Sequence, residues 1–344
     1  MIDLISDTAT RPSPEMRRFM ADAPVGDEQL GEDPSVNRLQ DMVAELTGKE
    51  AALFLPSGTM CNIIGIKLHT QPGDKIILDR FSHPFTSEAG GVGLLAGVVT
   101  HLVDGVRGVF TPQQVEEASY PGDGIHTPPT TLVCIENTHN RGGGKIWPLE
   151  TLEAVAETAH ALGLKVHLDG ARLLNAVVAT GIPAHLWCAK MDTCWIDLSK
   201  GLGCPVGAVL AGDRETIRRA RRYKKMFGGA MRQAGIIAAA GIYALTHNVE
   251  RLAEDHANAR LLATGLAEIP GIAIDPQEVE TNIVFFDVAG TGRTAQQVKQ
   301  ALTSHGVRMG AVGHTQMRAV THLDVSRDDV ERAIEVMRRV VSGA

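Results

Sequence analysis

Short apolar runs alternate with longer stretches in which apolar residues recur every three or four positions along the first two thirds of the chain. Short apolar runs are typical of buried strands, and the three- to four-residue recurrence indicates helices. Strands that alternate with helices predict an α/β fold whose mostly parallel sheet is flanked by helices on both faces. The predicted strands are residues 51–55, 75–79, 132–136, 165–169, 194–198 and 207–211, and residues 149–162 form the clearest predicted helix.

The last third of the chain follows a different order and predicts a small α+β unit. A capping-box pattern at Ser326 and Asp329, with Asp in place of the usual Glu, marks the start of the terminal helix. We therefore predict an N-terminal arm (1–20), a large domain (21–247) and a small C-terminal domain (248–344). The predicted elements of the small domain are helices over 248–266, 294–305 and 326–341 and strands over 282–286 and 319–323.

Composition and charge narrow the class of protein. The 344 residues are 44% hydrophobic and 21% charged, which is ordinary for a globular protein, and the net charge of −7 disfavours nucleic acid or an anionic membrane as a partner. No apolar run reaches the roughly 18 residues of a membrane-spanning helix, and the N-terminus does not resemble a signal peptide. The five cysteines form no CxxC pair, so we expect buried free thiols and a cytoplasmic protein.

The residues after the first predicted strand suit an anion. Ser57, Gly58 and Thr59 follow that strand and open a helix. Free N–H groups and the positive end of the helix dipole can bind a phosphate at such a position. An ordinary helix cap also explains Ser57, because serine is a common N-cap residue. On these residues alone, both interpretations remain open.

Two charged residues lie at or just after the ends of other predicted strands. Asp169 ends the strand over 165–169, and no cluster with metal-ligand spacing surrounds it, so we predict no metal. Lys200 follows the strand over 194–198 among small residues and glycines. A lysine held against an apolar wall more readily becomes neutral and can form a Schiff base. The alternative is a loop lysine that points into water.

Taken together, these three features indicate pyridoxal 5'-phosphate (PLP). Ligands of parallel sheets lie outside the carboxyl ends of the strands, which is where all three features are predicted. An aspartate can pair with the pyridinium nitrogen, a lysine can form the imine, and a helix N-terminus can bind the phosphate. The residues therefore predict a PLP enzyme whose cofactor is held by Lys200.

Two other motifs point to different functions but are weaker. The glycine-rich segment 91–97 does not have the GxGxxG spacing, and no strand is predicted directly before it, which disfavours a dinucleotide-binding dehydrogenase. We expect helix and turn glycines there. The basic segment 218–225 could suggest nucleic acid, but in an acidic chain it is more often a solvated helix face or a subunit interface.

A set of longer segments adds a family resemblance. The most specific are 167–172 (HLDGAR), 198–203 (LSKGLG) and 228–233 (GGAMRQ), joined by 6–8, 10–12, 31–34, 48–52, 57–59, 88–91, 136–140 and 321–326. With this set, nearly the whole chain resembles the low-specificity L-threonine aldolases. These are fold-type I PLP-dependent enzymes, with a large domain of mostly parallel sheet flanked by helices and a small C-terminal α+β domain.

The resemblance implies a role for each of several residues. In it, Lys200 forms the Schiff base, Asp169 pairs with the pyridine nitrogen and His83 stacks on the ring. The implied catalytic residues are Lys200, His83, His126 and Asp169; the implied cofactor contacts are Ser57, Gly58, Thr59, His83, Asp169, Arg172, Lys200, Lys225 and Arg232; and the implied substrate contacts are Ser6, His83, His126, Arg172 and Arg318.

The resemblance also implies a reaction and an assembly. The reaction is the reversible retro-aldol cleavage of L-threonine, L-allo-threonine and related L-β-hydroxy-α-amino acids to glycine and an aldehyde. The base that takes the β-hydroxyl proton would be His83, His126 or a water that they hold. The expected assembly is a homotetramer, a dimer of dimers with shared sites, into which some of His126, Lys225 and Arg232 reach from a neighbouring subunit.

Other activities of the same fold remain as alternatives. A β-eliminating lyase or an amino-acid racemase would break Cα–H instead of Cα–Cβ. A non-catalytic PLP-fold protein is disfavoured because Lys200, Asp169 and Arg172 are all present.

A few positions depart from the usual family pattern. Ile5 stands where relatives often carry arginine, Leu30 where they often carry tyrosine, and Ser87 is small. Asp197 adds a charge shortly before Lys200. Because Leu30 and Ser87 lie in pocket-wall segments, we predict a roomier pocket that accepts bulky or aromatic aldehydes.

Overall fold

The structure, a computed structural model that describes residues 1–342, contains β-sheets of seven, three and two strands. Within these residues the strands are β1 (Ile2–Asp3), β2 (Ala51–Leu55), β3 (Lys75–Asp79), β4 (Val99–Val103), β5 (Thr130–Glu136), β6 (Lys165–Asp169), β7 (Thr193–Asp197), β8 (Ala208–Gly212), β9 (Ile283–Asp287), β10 (Val307–Arg308), β11 (Gly310–Ala311) and β12 (Gln316–Val320). The α-helices are α1 (Pro14–Ala21), α2 (Pro34–Thr47), α3 (Gly58–His69), α4 (His83–Thr86), α5 (Pro112–Ala118), α6 (Leu149–Ala161), α7 (Leu173–Thr180), α8 (Ala184–Cys188), α9 (Arg214–Met226), α10 (Gly235–His247), α11 (Leu252–Ala267), α12 (Ala295–Ser304) and α13 (Arg327–Ser342).

The seven-stranded sheet has the order β2-β8-β7-β6-β5-β3-β4 and is mostly parallel, as predicted. Strand β8 is the exception, since it runs antiparallel to both of its neighbours. The connection from β7 to β8 spans residues 198–207 and contains no helix, and a connection without a crossover helix suits antiparallel neighbours. Strand β4, at the edge of the sheet, was not predicted because it is only partly buried and carries polar Thr100 and His101.

Both faces of this sheet are buried, which explains the near-continuous apolar runs in its strands. Leu168 and Val209 belong to the core on one face, whereas Leu132 and Leu210 pack into apolar clusters on the other. The sequence pattern locates the strands over 51–55, 75–79 and 165–169 to the residue. Burial from both sides therefore makes strand positions readable, but it does not reveal strand direction.

The three-stranded sheet β11-β12-β9 packs with helices α11, α12 and α13 around a separate core that also contains Ile2 and Leu4. The prediction of a strand over 319–323 was wrong by three positions, because β12 ends at Val320. The next two side chains bond to distant backbone: Thr321 Oγ1 donates to the carbonyl oxygen of Asp255, and His322 Nε2 lies 2.8 Å from that of Asp3.

The helix predicted over 248–266 begins only at Leu252, after an irregular connection from α10. The predicted domain limits at residues 20 and 247 stay predictions. The predicted capping box is confirmed, since Ser326 Oγ accepts the Asp329 N–H and Asp329 Oδ2 accepts the Ser326 N–H.

All five cysteines are buried and free. The glycine-rich segment forms a π-helical turn over Val92–Ala96 that ends at Gly97 with φ +77°. The basic segment belongs to α9, where its arginines are exposed and Lys224 is buried. In the part of the chain that the structure describes, no helix is long and apolar enough to cross a membrane.

Candidate active site

The carboxyl ends of β6 and β7 bring Asp169 and Lys200 to one edge of the sheet. The two strands are neighbours, Asp169 is the last residue of β6, and Lys200 follows β7 by three residues. The Lys200 side chain is mostly buried: its Nζ lies 5.9 Å from the centre of the Trp195 ring and 3.1 Å from Asp197 Oδ2. The alternative of a loop lysine that points freely into water is therefore wrong.

The Asp169 carboxylate is buried and held from two sides. Its Oδ2 accepts a hydrogen bond from Asn62 Nδ2 at 2.8 Å, and its Oδ1 accepts one from the Ala171 N–H at 3.0 Å. Burial, together with the nearby Glu136 carboxylate, raises the pKa of Asp169 to about 7. A buried carboxylate of this kind gains most from a cationic partner, such as a pyridinium nitrogen.

Asn62 fixes this arrangement, and sequence reasoning assigned it no role. Trp195 Nε1, which can only donate, lies 2.8 Å from Asn62 Oδ1 and so determines which way the amide points. The amide nitrogen then faces both Asp169 Oδ2 and Glu88 Oε1, the latter at 2.7 Å. His167 Nε2 lies 3.2 Å from the same Oδ1, and burial lowers its pKa to about 3, so the ring is neutral.

Glu88 connects the side-chain amide of Asn62 to His83. His83 Nδ1 lies 2.8 Å from Glu88 Oε1, and the His83 N–H donates to Glu136 Oε2 at 2.7 Å. The hydrogen bond that the His83 ring donates to Glu88 raises the pKa of His83. Within residues 1–342 the other ring nitrogen, Nε2, makes no hydrogen bond, so it is available to a ligand. Glu88 is thus a supporting residue that the sequence motif contained without revealing its task.

The start of helix α3 combines a cap with free N–H groups. Ser57 Oγ accepts the Met60 N–H at 3.2 Å, so the cap interpretation of Ser57 is correct. The N–H groups of Gly58 and Thr59 lie in the first helical turn, where no intrahelical partner exists. A Cβ at Gly58 would collide with the Trp195 ring, which explains the glycine. The cap therefore leaves two donors for an anion.

The positive charge of Arg172 is balanced by a carboxylate of the same chain, that of Asp7. Its Nε and Nη2 each donate to Asp7 at 2.7 Å, one to each carboxylate oxygen, and both side chains are buried. Burial alone would raise the pKa of Asp7, but Arg172 holds it well below its usual range. Asn282 Nδ2 also donates to Asp7, at 3.1 Å. The sequence motif contained Asp7 but did not reveal it as the partner of Arg172.

Arg318, in contrast, has no carboxylate partner among the described residues. Its Nη2 donates to Asn140 Oδ1 at 2.8 Å, its Nη1 lies 3.5 Å from the Ile5 carbonyl oxygen, and its Nε is buried without a partner. Burial, with the nearby charge of Arg172, lowers the pKa of Arg318 to about 10. A half-buried guanidinium without a counter-ion is a binding site for an anion such as a carboxylate.

The N-terminal arm lies against this cluster. Thr10 Oγ1 donates to the Lys200 carbonyl oxygen at 2.8 Å. Ser6 Oγ accepts from the Thr8 N–H at 3.2 Å and from Thr8 Oγ1 at 2.8 Å, and it caps a short 3-10 helix. The predicted contact of Ser6 with substrate stays a prediction.

Three predicted site residues, His126, Lys225 and Arg232, make no hydrogen bond or ion pair with this cluster within residues 1–342. His126 is exposed in the connection between α5 and β5, and its side chain makes no hydrogen bond or ion pair within residues 1–342. Lys225 Nζ bonds to Gln29 Oε1 at 2.8 Å, and Arg232 Nη1 bonds to Asp27 Oδ2 at 2.6 Å. Both cations are exposed.

The residues fit PLP. The cluster offers a largely buried amine, a buried carboxylate with a raised pKa and two free N–H groups in the first turn of α3. Arg318, with its unpartnered Nε, adds a place for the carboxylate of an amino acid. These are the groups that a PLP enzyme requires.

Known proteins resemble the chain over nearly its full length. The family model described as "Beta-eliminating lyase" matches residues 3–290. The chain is 43% identical over 330 residues to the low specificity L-threonine aldolase of Escherichia coli K12, covering 96% of each protein. It is 38% identical to low-specificity L-threonine aldolase 1 of Arabidopsis thaliana, covering 99% of this chain and 96% of the plant protein.

Solved structures share the fold. The Leishmania major threonine aldolase superposes with a TM-score of 0.84 at 21% identity, covering 99% of this chain and all of the other. The Sphingomonas wittichii serine palmitoyltransferase superposes with a TM-score of 0.77 at 19% identity, covering 99% and 87%. At such identities the likeness concerns architecture alone, here that of the fold-type I PLP-dependent enzymes.

Proposed function

Because the chain belongs to the beta-eliminating lyase family and, within it, to the low-specificity L-threonine aldolases, we propose that it is a PLP-dependent carbon–carbon lyase. It cleaves L-threonine, L-allo-threonine and related L-β-hydroxy-α-amino acids reversibly to glycine and an aldehyde. The observation that carries this proposal is the cluster of Lys200, Asp169 and Arg318. It combines groups for the cofactor with a cation for an amino-acid carboxylate.

Each part of the cofactor has a matching group. Bound PLP supplies an electron sink that stabilises negative charge at the Cα of an amino acid. We propose that the Lys200 amine holds its aldehyde as a Schiff base, that the Asp169 carboxylate faces its ring nitrogen, and that the Gly58 and Thr59 N–H groups hold its phosphate. An ionised Asp169 would hold a proton at the facing ring nitrogen, because a carboxylate favours a cationic neighbour.

Arg318 selects the bond to be broken by orienting the substrate. Its guanidinium can bind the substrate carboxylate with two parallel hydrogen bonds, and this fixes the rotation about the bond between nitrogen and Cα. For an aldolase, Cα–Cβ must be the bond aligned for cleavage. Arg172 is already paired with Asp7, so we assign the substrate carboxylate to Arg318. The positive charge of Arg172 lies near Arg318 and adds to the attraction for that carboxylate.

His83 is the proposed acceptor of the β-hydroxyl proton. With Nδ1–H directed at Glu88, the neutral ring presents the lone pair of Nε2. Glu88 stabilises the ring once it has taken the proton, and this makes His83 a stronger base. His83 can then deliver this proton to Cα, which completes glycine and restores the neutral ring. His126, or a water held between the two rings, is the alternative acceptor.

Replacing His83 by asparagine is expected to lower kcat by about 10²–10⁴-fold, the loss typical of one acid–base group, without removing the bound cofactor.

Because Glu88 raises the pKa of His83, Glu88→Gln should shift the acidic limb of the kcat–pH profile to lower pH. Steady-state kinetics between pH 5 and 9 measure both effects. A larger loss for His126→Ala than for His83→Asn would assign the base to His126 instead.

Product analysis tests the function directly. The purified protein with PLP is incubated with L-threonine, L-allo-threonine and L-phenylserine, and glycine and aldehyde are quantified. The proposal requires glycine and aldehyde in equal amounts. A 2-oxo acid in their place would indicate β-elimination, and substrate with inverted Cα would indicate a racemase.

The departures at Leu30 and Ser87 predict a preference for bulky aldehydes. Both side chains are exposed and smaller than tyrosine, so they leave more room for the β-substituent of a substrate than a tyrosine would. We expect Leu30→Tyr to lower the ratio of kcat/KM for phenylserine to that for threonine. An unchanged ratio would mean that residue 30 does not contact the β-substituent.

We propose a cytoplasmic homotetramer, a dimer of dimers with shared sites. The five free cysteines support a reducing compartment. Lys225 and Arg232 support shared sites, because both cations are exposed and, within residues 1–342, bond to the segment 27–29 and not to the cluster of Lys200, Asp169 and Arg318. Light scattering measures the mass. Mixing Lys200→Ala with Arg232→Ala subunits should restore part of the activity if the two residues serve one site from different subunits.

A further inference from the structure

The Asp197 carboxylate faces two parts of the proposed cofactor site at once. Its Oδ2 lies 3.1 Å from Lys200 Nζ and 3.3 Å from the point that a Cβ on Gly58 would occupy. Gly58 is the first residue of α3, whose N–H groups are the proposed phosphate donors. One oxygen of Asp197 therefore lies close to both the lysine amine and the start of α3, the phosphate end of the proposed site.

Asp197 is also held in this position. Its Oδ1 accepts hydrogen bonds from the Ser199 N–H at 2.7 Å and from Ser199 Oγ at 2.9 Å. The residue ends a fully buried strand, and it is only 8% exposed. Rotating the carboxylate away from α3 would break both bonds, so it cannot easily leave when an anion arrives.

Of the cations near Asp197 in the described residues, Lys200 alone forms an ion pair with it. Arg172 is close enough to feel its charge but is engaged by Asp7. Lys224, on α9, is buried in an ion pair with Glu28. When the Lys200 amine bonds to the cofactor, it can no longer offer Asp197 a full ammonium group.

We propose that Asp197 lowers the affinity of this enzyme for the phosphate of its cofactor and holds the Lys200 amine before the cofactor binds. The proposal rests on the PLP site described under Proposed function. A phosphate ester carries close to two negative charges at neutral pH, and a fixed carboxylate beside the same N–H groups repels it. The cost falls on the phosphate alone, so Asp197 reduces the preference for PLP over pyridoxal, which lacks the phosphate.

The test compares the two ligands on the apoenzyme. PLP and pyridoxal are titrated separately into wild type, Asp197→Asn and Asp197→Glu, and Kd is measured from the visible absorbance of the bound ligand. Asparagine keeps the shape and the Oδ1 acceptor but removes the charge, whereas glutamate keeps the charge. Any change that acts through the Lys200 amine affects both ligands alike and cancels in the ratio of their Kd values.

We expect Asp197→Asn to raise the ratio of the pyridoxal Kd to the PLP Kd by at least about tenfold. Like charges a few ångströms apart at a partly buried site repel by more than the roughly 1.4 kcal/mol that a factor of ten represents. Asp197→Glu should leave the ratio at the wild-type value or lower it.

Two results would overturn the proposal. An equal ratio in wild type and Asp197→Asn would show that the carboxylate does not act on the phosphate. Failure of both ligands to bind wild type would remove the cofactor assignment and this proposal with it. Asp197→Ser, also uncharged, is measured in parallel, so that a folding defect of one variant, detected by thermal unfolding of the apoenzyme, does not decide the outcome.

Discussion

Replacing Lys200 by alanine is expected to remove the visible absorbance of bound PLP and to lower kcat/KM for L-threonine by more than about 10⁴-fold, beyond the loss typical of one acid–base group. The reason is that Lys200 is the amine at this edge of the sheet that can bond to the cofactor, and it is held largely buried beside Trp195 and Asp197. Absorbance spectra and steady-state kinetics measure the two effects separately.

Lys165 provides a matched control for this variant. It begins strand β6, whose other end carries Asp169, and its exposed side chain pairs with Asp192. Lys165→Ala should keep both the absorbance and the turnover. If Lys200→Ala also kept them, the assignment of the cofactor lysine would be wrong.

The second large effect is one of stability. Asp7→Asn is expected to lower the free energy of unfolding by about 3–5 kcal/mol, the cost of leaving a buried charge unpaired. Asp7 and Arg172 are buried with two hydrogen bonds between them, so removal of one charge leaves the other without compensation. Unfolding in urea, monitored by circular dichroism, gives the difference.

The loss of unfolding free energy in Asp7→Asn should become smaller as the pH falls below about 4. The folded-state pKa of Asp7 lies below its ordinary value of 3.8, so the ionised group stabilises the fold above about pH 4. This contribution is lost as the pH falls further towards the folded-state pKa. The gap between wild type and Asp7→Asn should therefore be full at pH 7 and shrink below pH 4.

Asp3→Asn is the control for the position of Asp7 in the N-terminal arm. Asp3 pairs with Arg308 at the surface, where water screens the pair, so a much smaller loss is expected. Similar losses for Asp3→Asn and Asp7→Asn would mean that the arm, and not the buried charge pair, determines the effect.

The fold was largely predictable from the sequence because burial of both sheet faces leaves a strong apolar signal. Strands β2, β3 and β6 match their predicted ranges, and the parallel order follows from alternation with helices. The reversal of β8 and the edge strand β4 could not be predicted, because neither changes the apolar pattern in a recognisable way.

The main groups of the site were also predictable, for a related reason. Asp169 ends a predicted strand, Lys200 and the Ser57–Thr59 segment each follow one, and the carboxyl ends of parallel strands meet at one edge of the sheet. The sequence by itself therefore determined that an amine, a carboxylate and a helix N-terminus come together. The family resemblance, more than the lysine, narrowed this to an aldolase.

Only the tertiary structure decided how these groups are supported and which charges balance. Arg172 meets Asp7 across 165 positions, Asn62 meets Asp169 across 107, and Arg318 meets Asn140 across 178. Such contacts depend on the folded path of the chain, because side-chain pairing over these separations leaves no periodic trace in the sequence. Whether an arginine is neutralised or free for substrate, and whether a carboxylate faces the phosphate, follows from three-dimensional distance and burial alone.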